Sequence, residues 1–384
     1  MSKTHSNYID SQGQLEDLCG LLINADYICV DTEFLRERSF FPQLCLIQLG
    51  FGAPADLKTY AVDPLAKLDL KPLLKILISD KLLIFHSGKQ DLEIIYNLTG
   101  ELPKNIFDTQ IAAMVCGFGE QVSYQELVRE FCKAEIDKSQ RFTDWSKRPL
   151  NQKQVDYALA DVAYLPEIYK KLSEKMNSKE RKIWLKEEEA WLINPENYRD
   201  EPEDAWQRIK HRDKKNSHLG ILQEIAKWRD LRAREMNKPR RWVMKDESLT
   251  EIALRKPETE QELKDIRNIG SLSKPVVKEI LAAVKRGLEM PKDKIPQLKK
   301  RPNKTADAAV VDLLKLLFKL KCAESDVAPK LMGNTEDIEK LAHGGKTIFS
   351  EGWRYDIFGR DAERLLAGEL KFSVDAKTGK LKIE

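Results

Sequence analysis

The chain has 384 residues, too many for one ordinary small domain and enough for two or three. Hydrophobic residues make up 42 % of it, and 65 Lys and Arg against 62 Asp and Glu leave a net charge of +3, so a histone-like polycation is excluded and any nucleic-acid surface must be local. No segment approaches the roughly 18 uninterrupted apolar residues of a membrane span, and the N-terminal MSKTHSNYID lacks the apolar core of a signal peptide.

In chain order, Tyr27–Phe34, Leu44–Leu49, Thr59–Val62, Leu82–His86 and Ile106–Phe107 are short apolar runs with strand character. Amphipathic helical stretches lie between and after them, which predicts an α/β domain. After Leu82–His86 the pattern becomes helical. Ser87 is placed to cap that helix, Gly100 to follow it, and Asp91, Ile94, Ile95 and Leu98 fall on one face at i, i+3, i+4, i+7 spacing. SYQE at 123–126 and NQKQ at 151–154 carry the spacing of capping boxes. The second opens a long helix that Pro166 should kink or break.

Composition turns polar at NPENYRDEPEDAWQRIKHRDKKNS, so the first domain is expected to span residues 1–193, with a linker over 194–217. A helical module follows over 218–290, in which Leu222, Ile225 and Trp228 form a stripe and TEQE at 259–262 is another capping box. The basic, proline-containing PKDKIPQLKKRPNK at 291–304 reads as a second linker. A second helical module, led by VVDLLKLLFKL, is expected over 305–372, with a tail at 373–384. Six cysteines (Cys19, Cys29, Cys45, Cys116, Cys132 and Cys322) include no CxxC pair and lie mostly among apolar neighbours. Reduced thiols and a cytoplasmic location are the expectation.

The chemistry begins at VDTEF. Residues two apart in a strand face the same way, so Asp31 and Glu33 present both carboxylates to one side of the sheet. Two such groups are costly to desolvate unless positive charge meets them. Tyr157 and Asp161, four apart in YALAD, share a helical face away from the apolar stripe Val155, Ala158, Leu159 and Val162. If Asp91 leans in from its own helix, four acidic groups converge, an oxygen-only set of the kind Mg²⁺ or Mn²⁺ prefers. Each fragment alone also has an ordinary reading: an exposed Asp-x-Glu pair, a carboxylate favoured by a helix N-terminus, a surface YxxxD. His86 reads as a hydrogen-bonded strand-end histidine or as a substrate contact; no further His or Cys partners are in view for zinc.

Taken together, VDTEF (30–34), FHSGKQDLEII (85–95) and YALADVAYL (157–165) resemble the three exonuclease motifs of the DEDDy 3′-to-5′ exonucleases. FFPQLCLIQLG (40–50), IFDTQIAA (106–113) and DWSKRPL (144–150) are similar to the ribonuclease D family in particular. ELKDIRNIG (262–270) looks like an HRDC domain, and GWRYDIFGRDAERLLAGE (352–369) is more loosely similar to the end of a second one. The resemblance implies an RNase H-like mixed sheet with flanking helices, followed by two all-α HRDC-type domains. It also implies that Asp31, Glu33, Asp91 and Asp161 hold two divalent ions, Mg²⁺ or Mn²⁺, while Tyr157 orients the attacking water. The expected reaction is 3′-to-5′ trimming of RNA, tRNA precursors above all, with release of nucleoside 5′-monophosphates. A DNA exonuclease of the same fold and a nonenzymatic RNA-binding adaptor are the competing readings.

Substrate contacts are expected from two sources. Phe34, Phe40 and Phe41 could stack on bases or pack in the core. Arg229, Arg232, Arg234, Lys238, Arg240, Arg241 and Lys245, around Trp228 and Trp242, could form a phosphate-tracking patch or a solvated helix face.

Overall fold

Six short strands form one mixed sheet in the computed structural model, which describes residues 7–176, 178–210, 218–266, 269, 272–297, 307–379 and 381–384. They are β1 (Tyr8–Ile9), β2 (Tyr27–Leu35), β3 (Gln43–Phe51), β4 (Lys58–Val62), β5 (Leu82–Phe85) and β6 (Asn105–Asp108), in the order β1-β4-β3-β2-β5-β6. β1 pairs parallel to β4, and β5 parallel to both β2 and β6, whereas β3 and β4 are antiparallel. The five sequence-predicted strands all form. β1 has only two residues, too few for a periodic signal, and is fixed by its pairing of Tyr8 with Ala61 and Ile9 with Val62.

Flanking the sheet are α1 (Gln12–Ile23), α2 (Lys71–Leu77), α3 (Lys89–Thr99), α4 (Thr109–Val115), α5 (Tyr124–Leu127), α6 (Gln152–Ala163), α7 (Leu165–Lys175) and α8 (Lys179–Leu192). The capping boxes at Ser123–Glu126 and Asn151–Gln154 are both formed. α6 stops at Ala163, and Pro166 sits in the first turn of α7, where its missing N–H costs no helical bond. Val155, Ala158 and Val162 bury one face of α6. At Gly50 a Cβ would lie 3.3 Å from the Val162 carbonyl oxygen and 3.5 Å from Cys29 Cβ, so glycine lets α6 approach β3 and β2 closely. One expectation fails in α3: its N-cap is Gly88, not Ser87. Ser87 adopts φ +62°, outside the extended geometry of an N-cap residue, and its N–H donates to Asp108. Gly100 ends the helix in the left-handed region as its position predicts, while Leu98 remains 50 % exposed.

Two compact units divide the chain. One comprises Met1–Glu33, Cys45–Asn197 and Pro302–Glu384, the other Phe34–Leu44 and Tyr198–Arg301.

The second unit contains α9 (Leu219–Glu235), α10 (Arg240–Val243), α11 (Asp246–Arg255), α12 (Glu260–Lys264) and α13 (Lys274–Leu288). Leu222, Ile225, Trp228, Leu249, Ile252 and Ile280 build its core. The expected linker at 194–217 is corrected in part. Pro202–Arg208 forms a 3₁₀ turn, and Ala205 and Ile209 are buried in that core, because they are apolar points four apart in an otherwise charged run. Residues 211–217 and 298–304 of the two expected linkers lie outside the described residues, as do Arg267, Asn268 and Gly270 of the ELKDIRNIG stretch.

The C-terminal helices α14 (Ala308–Ser325), α15 (Pro329–Met332), α16 (Thr335–Ala342), α17 (Gly352–Arg354) and α18 (Arg360–Leu366) belong to the first unit. They share a core with α4: Met114 and Val115 pack among Leu314, Leu317, Met332 and Phe358. The Ala328 N–H donates to the Met114 carbonyl at 3.1 Å. Arg354 pairs with Glu188 of α8 at 2.7 Å, and Trp353 Nε1 donates to the same carboxylate at 3.0 Å. The expected tail carries an antiparallel ribbon, β7 (Phe372–Val374) with β8 (Leu381–Ile383). None of the six cysteines forms a disulfide, and among the described residues no helix is long and apolar enough to cross a membrane.

Candidate active site

β2 carries Asp31 and Glu33 past the end of its buried run Ile28–Val30. α6, seated by Gly50, brings Tyr157 and Asp161 to the same place. Oxygens of Asp31, Glu33 and Asp161 lie within 4.8 Å of one another, a group able to hold a metal ion. These residues, with Tyr157 and His86, line a cleft of about 610 Å³.

Charge in this cluster is poorly compensated by the protein. Burial, and then Asp91, Asp161 and Glu33, push the Asp31 carboxyl well above its usual range. Glu33 is pushed up to about 8 by burial and by Asp161 and Asp91. Asp161 rises to about 7 through burial, opposed by the Tyr157 hydroxyl and by Arg141. The donors are hard oxygens and their charge is mutually repulsive, so the residues present fit a divalent cation.

Asp91 stands beside this group without joining it. It is 6 % exposed in the first turn of α3, and the Thr32 hydroxyl donates to its Oδ1 at 2.5 Å. Burial raises its carboxyl to about 7, and the Thr32 bond opposes the rise. The three carboxylates that lie within 4.8 Å of one another are Asp31, Glu33 and Asp161, and Asp91 acts on them from beside, as the strongest charge on Asp31. The turn before α3 is anchored by Asp108, whose carboxylate accepts the N–H groups of Ser87 at 3.1 Å and Gly88 at 2.8 Å. At Gly88 any Cβ would meet that of Phe85 at 2.6 Å, so glycine is required there.

Tyr157 has its phenol pK raised by burial and by Asp161, Glu33 and Asp31. Its ring lies 6.1 Å from that of Trp145. His86 lines the cleft with Nδ1 2.9 Å from Thr109 Oγ1, and burial lowers its pKa. Lys138, Arg141, Gln110, Ser123 and Gln125 also line the cleft. Sequence reading missed them: Lys138 and Arg141 sit in an irregular segment without periodicity, and only the SYQE capping box marked Ser123 as structured.

The proposed substrate residues of the second unit are engaged elsewhere. Arg229 is 3 % exposed and pairs with Asp246 at 2.6 Å. Arg232 pairs with Glu279 at 3.3 Å. Arg234 and Arg240 both bind Asp230 and Asp200. Arg241 is exposed, 3.7 Å from Glu247. Phe40 lies under the guanidinium groups of Arg240 and Arg234, at 4.3 and 4.9 Å from its ring centroid, and Arg36 lies 5.7 Å from that of Phe34. The expected phosphate patch is thus largely paired with carboxylates.

A 3′-5′ exonuclease family model matches residues 6–177, and an HRDC domain model matches 218–283. Fold and family models together define the class: a 3′-to-5′ exonuclease carrying an HRDC domain. Ribonuclease D of Bartonella henselae is 43 % identical over 370 residues, covering 93 % of this chain and 89 % of that protein. That of Sphingobium indicum is 42 % identical over 378 residues, covering 96 % of each. The structure of Escherichia coli RNase D, described as an exoribonuclease involved in structured RNA processing, matches with a TM-score of 0.82 at 29 % identity, covering 95 % of this chain and 99 % of that one. The chain belongs to the ribonuclease D family and is a 3′-to-5′ exoribonuclease.

Proposed function

We propose that the enzyme trims 3′ ends of small structured RNAs, tRNA precursors among them, releasing nucleoside 5′-monophosphates in the cytoplasm. The convergence of Asp31, Glu33 and Asp161 carries this reading. These three residues, with Asp91 beside them, would hold two divalent ions, Mg²⁺ or Mn²⁺. When bound, the ions supply Lewis-acid activation of the attacking water and of the leaving 3′ oxygen. The Tyr157 O–H donates to Asp161, and its oxygen can accept from the attacking water and orient it. Lys138 and Arg141 offer cationic contacts to the phosphate backbone at the cleft. Six cysteines without a disulfide suit a reducing compartment.

The test compares a 3′-extended tRNA precursor with single-stranded DNA, each labelled at its 5′ end, with and without chelator. Stepwise shortening of the RNA alone, stopped by chelator, is the expected result. Equal degradation of DNA would favour a general 3′-to-5′ exonuclease, and chelator-resistant shortening would remove the metal assignment.

A further inference from the structure

Gln48, in the middle of β3, is 0 % exposed, and neither its Nε2 nor its Oε1 has a hydrogen-bond partner among the described residues. Leaving both ends of a buried amide unbonded is costly, and such groups in native proteins call for a reason. The register supplies one. Gly50 faces Cys29, where a built Cβ would come within 3.5 Å of the cysteine Cβ. β2 and β3 are consecutive, adjacent strands of the sheet joined by a short connection. Counting two residues back along β3 and two forward along β2, as an antiparallel pair requires, brings Gln48 beside Asp31 on the face covered by α6. On its other side Gln48 is paired with Ala61, whose methyl side chain offers the amide no hydrogen bond.

We propose that Gln48 is a positioning residue for Asp31: in the metal-loaded enzyme its Nε2–H donates to the Asp31 carboxylate and fixes which oxygen faces the ion. Ligating carboxylates are commonly held by such outer hydrogen bonds, and their loss costs about 10- to 100-fold in metal affinity or activity. The inference rests on the assignment of Asp31 as a metal ligand.

Gln48→Met removes the amide while keeping the length of the side chain. With chelator present, Q48M should melt at or above the wild-type temperature, since an unbonded buried amide has been removed. Its affinity for Mn²⁺, read by titration calorimetry without RNA, should fall at least about tenfold. Half-saturating Mg²⁺ for RNA shortening should rise by a similar factor, with a smaller change in rate at saturating metal. Gln48→Leu carries the same test where Q48M does not fold. Unchanged Mn²⁺ affinity in the folded variant, with Asp31→Asn losing binding, would overturn the role of Gln48 alone. Mn²⁺ binding that survives Asp31→Asn would overturn the metal assignment on which it rests.

Discussion

Burial and the acids around it raise the Tyr157 phenol in the metal-free site, and the role proposed for its hydroxyl is to orient the attacking water. Tyr157→Phe keeps the ring against Trp145 and deletes only the hydroxyl. Single-turnover shortening should slow by about 100-fold, while the RNA dissociation constant moves less than about threefold; an unchanged rate would remove the orienting role. Asp31, Glu33, Tyr157 and Asp161 were legible because strand and helix periods dictate which side chains share a face. The ion pairs of Arg240 were not legible because its partners, Asp230 and Asp200, stand 10 and 40 residues away in sequence. Charge counted along a chain reports composition and says nothing of which carboxylate comes back to neutralise it. Ser87 fails for a related reason: its residue type suits a cap, but the Asp108 carboxylate, twenty-one residues on, holds its backbone in another conformation.

Between elements, the contact of α8 with β6 runs through one buried carboxyl. Glu189 Oε1 accepts the Asp108 N–H at 3.2 Å, and burial pushes Glu189 up to about 8 from an ordinary 4.5. Between those two values the folded chain holds a proton that the unfolded chain has released. Stability from this site therefore falls as pH rises from about 4.5 to about 8 and levels off above. Glu189→Gln keeps an acceptor for the Asp108 N–H without the titration. Its melting temperature relative to wild type should rise between pH 5 and pH 8, as followed by thermal denaturation; a constant difference would show that Glu189 is already ionised in the fold. Elements themselves were largely readable, since capping boxes at Ser123, Asn151 and Thr259 mark helix starts chemically. The turn holding Ala205 and Ile209 escaped notice because two apolar residues in a charged run give too weak a pattern.

At the scale of the whole molecule, the C-terminal helices that follow the HRDC domain belong to the same compact unit as the nuclease residues. Helices after residue 307 complete the core around Met114, Val115 and Trp184. A chain ended at residue 301 should therefore melt at a lower temperature and lose solubility, because that apolar face is left open to water. Wild-type melting of the first unit in such a truncation would show the face to be dispensable. Local sequence patterns could not disclose this, since α14 is amphipathic whichever surface it covers. The same packing sets a timetable. Val115 leaves the ribosome roughly 200 residues before Leu314, an interval of about 10 to 40 s at ~5–20 residues per second. Throughout that interval the nuclease segment has been made but lacks its covering helices, so the core around Met114 and Val115 stays open until they follow.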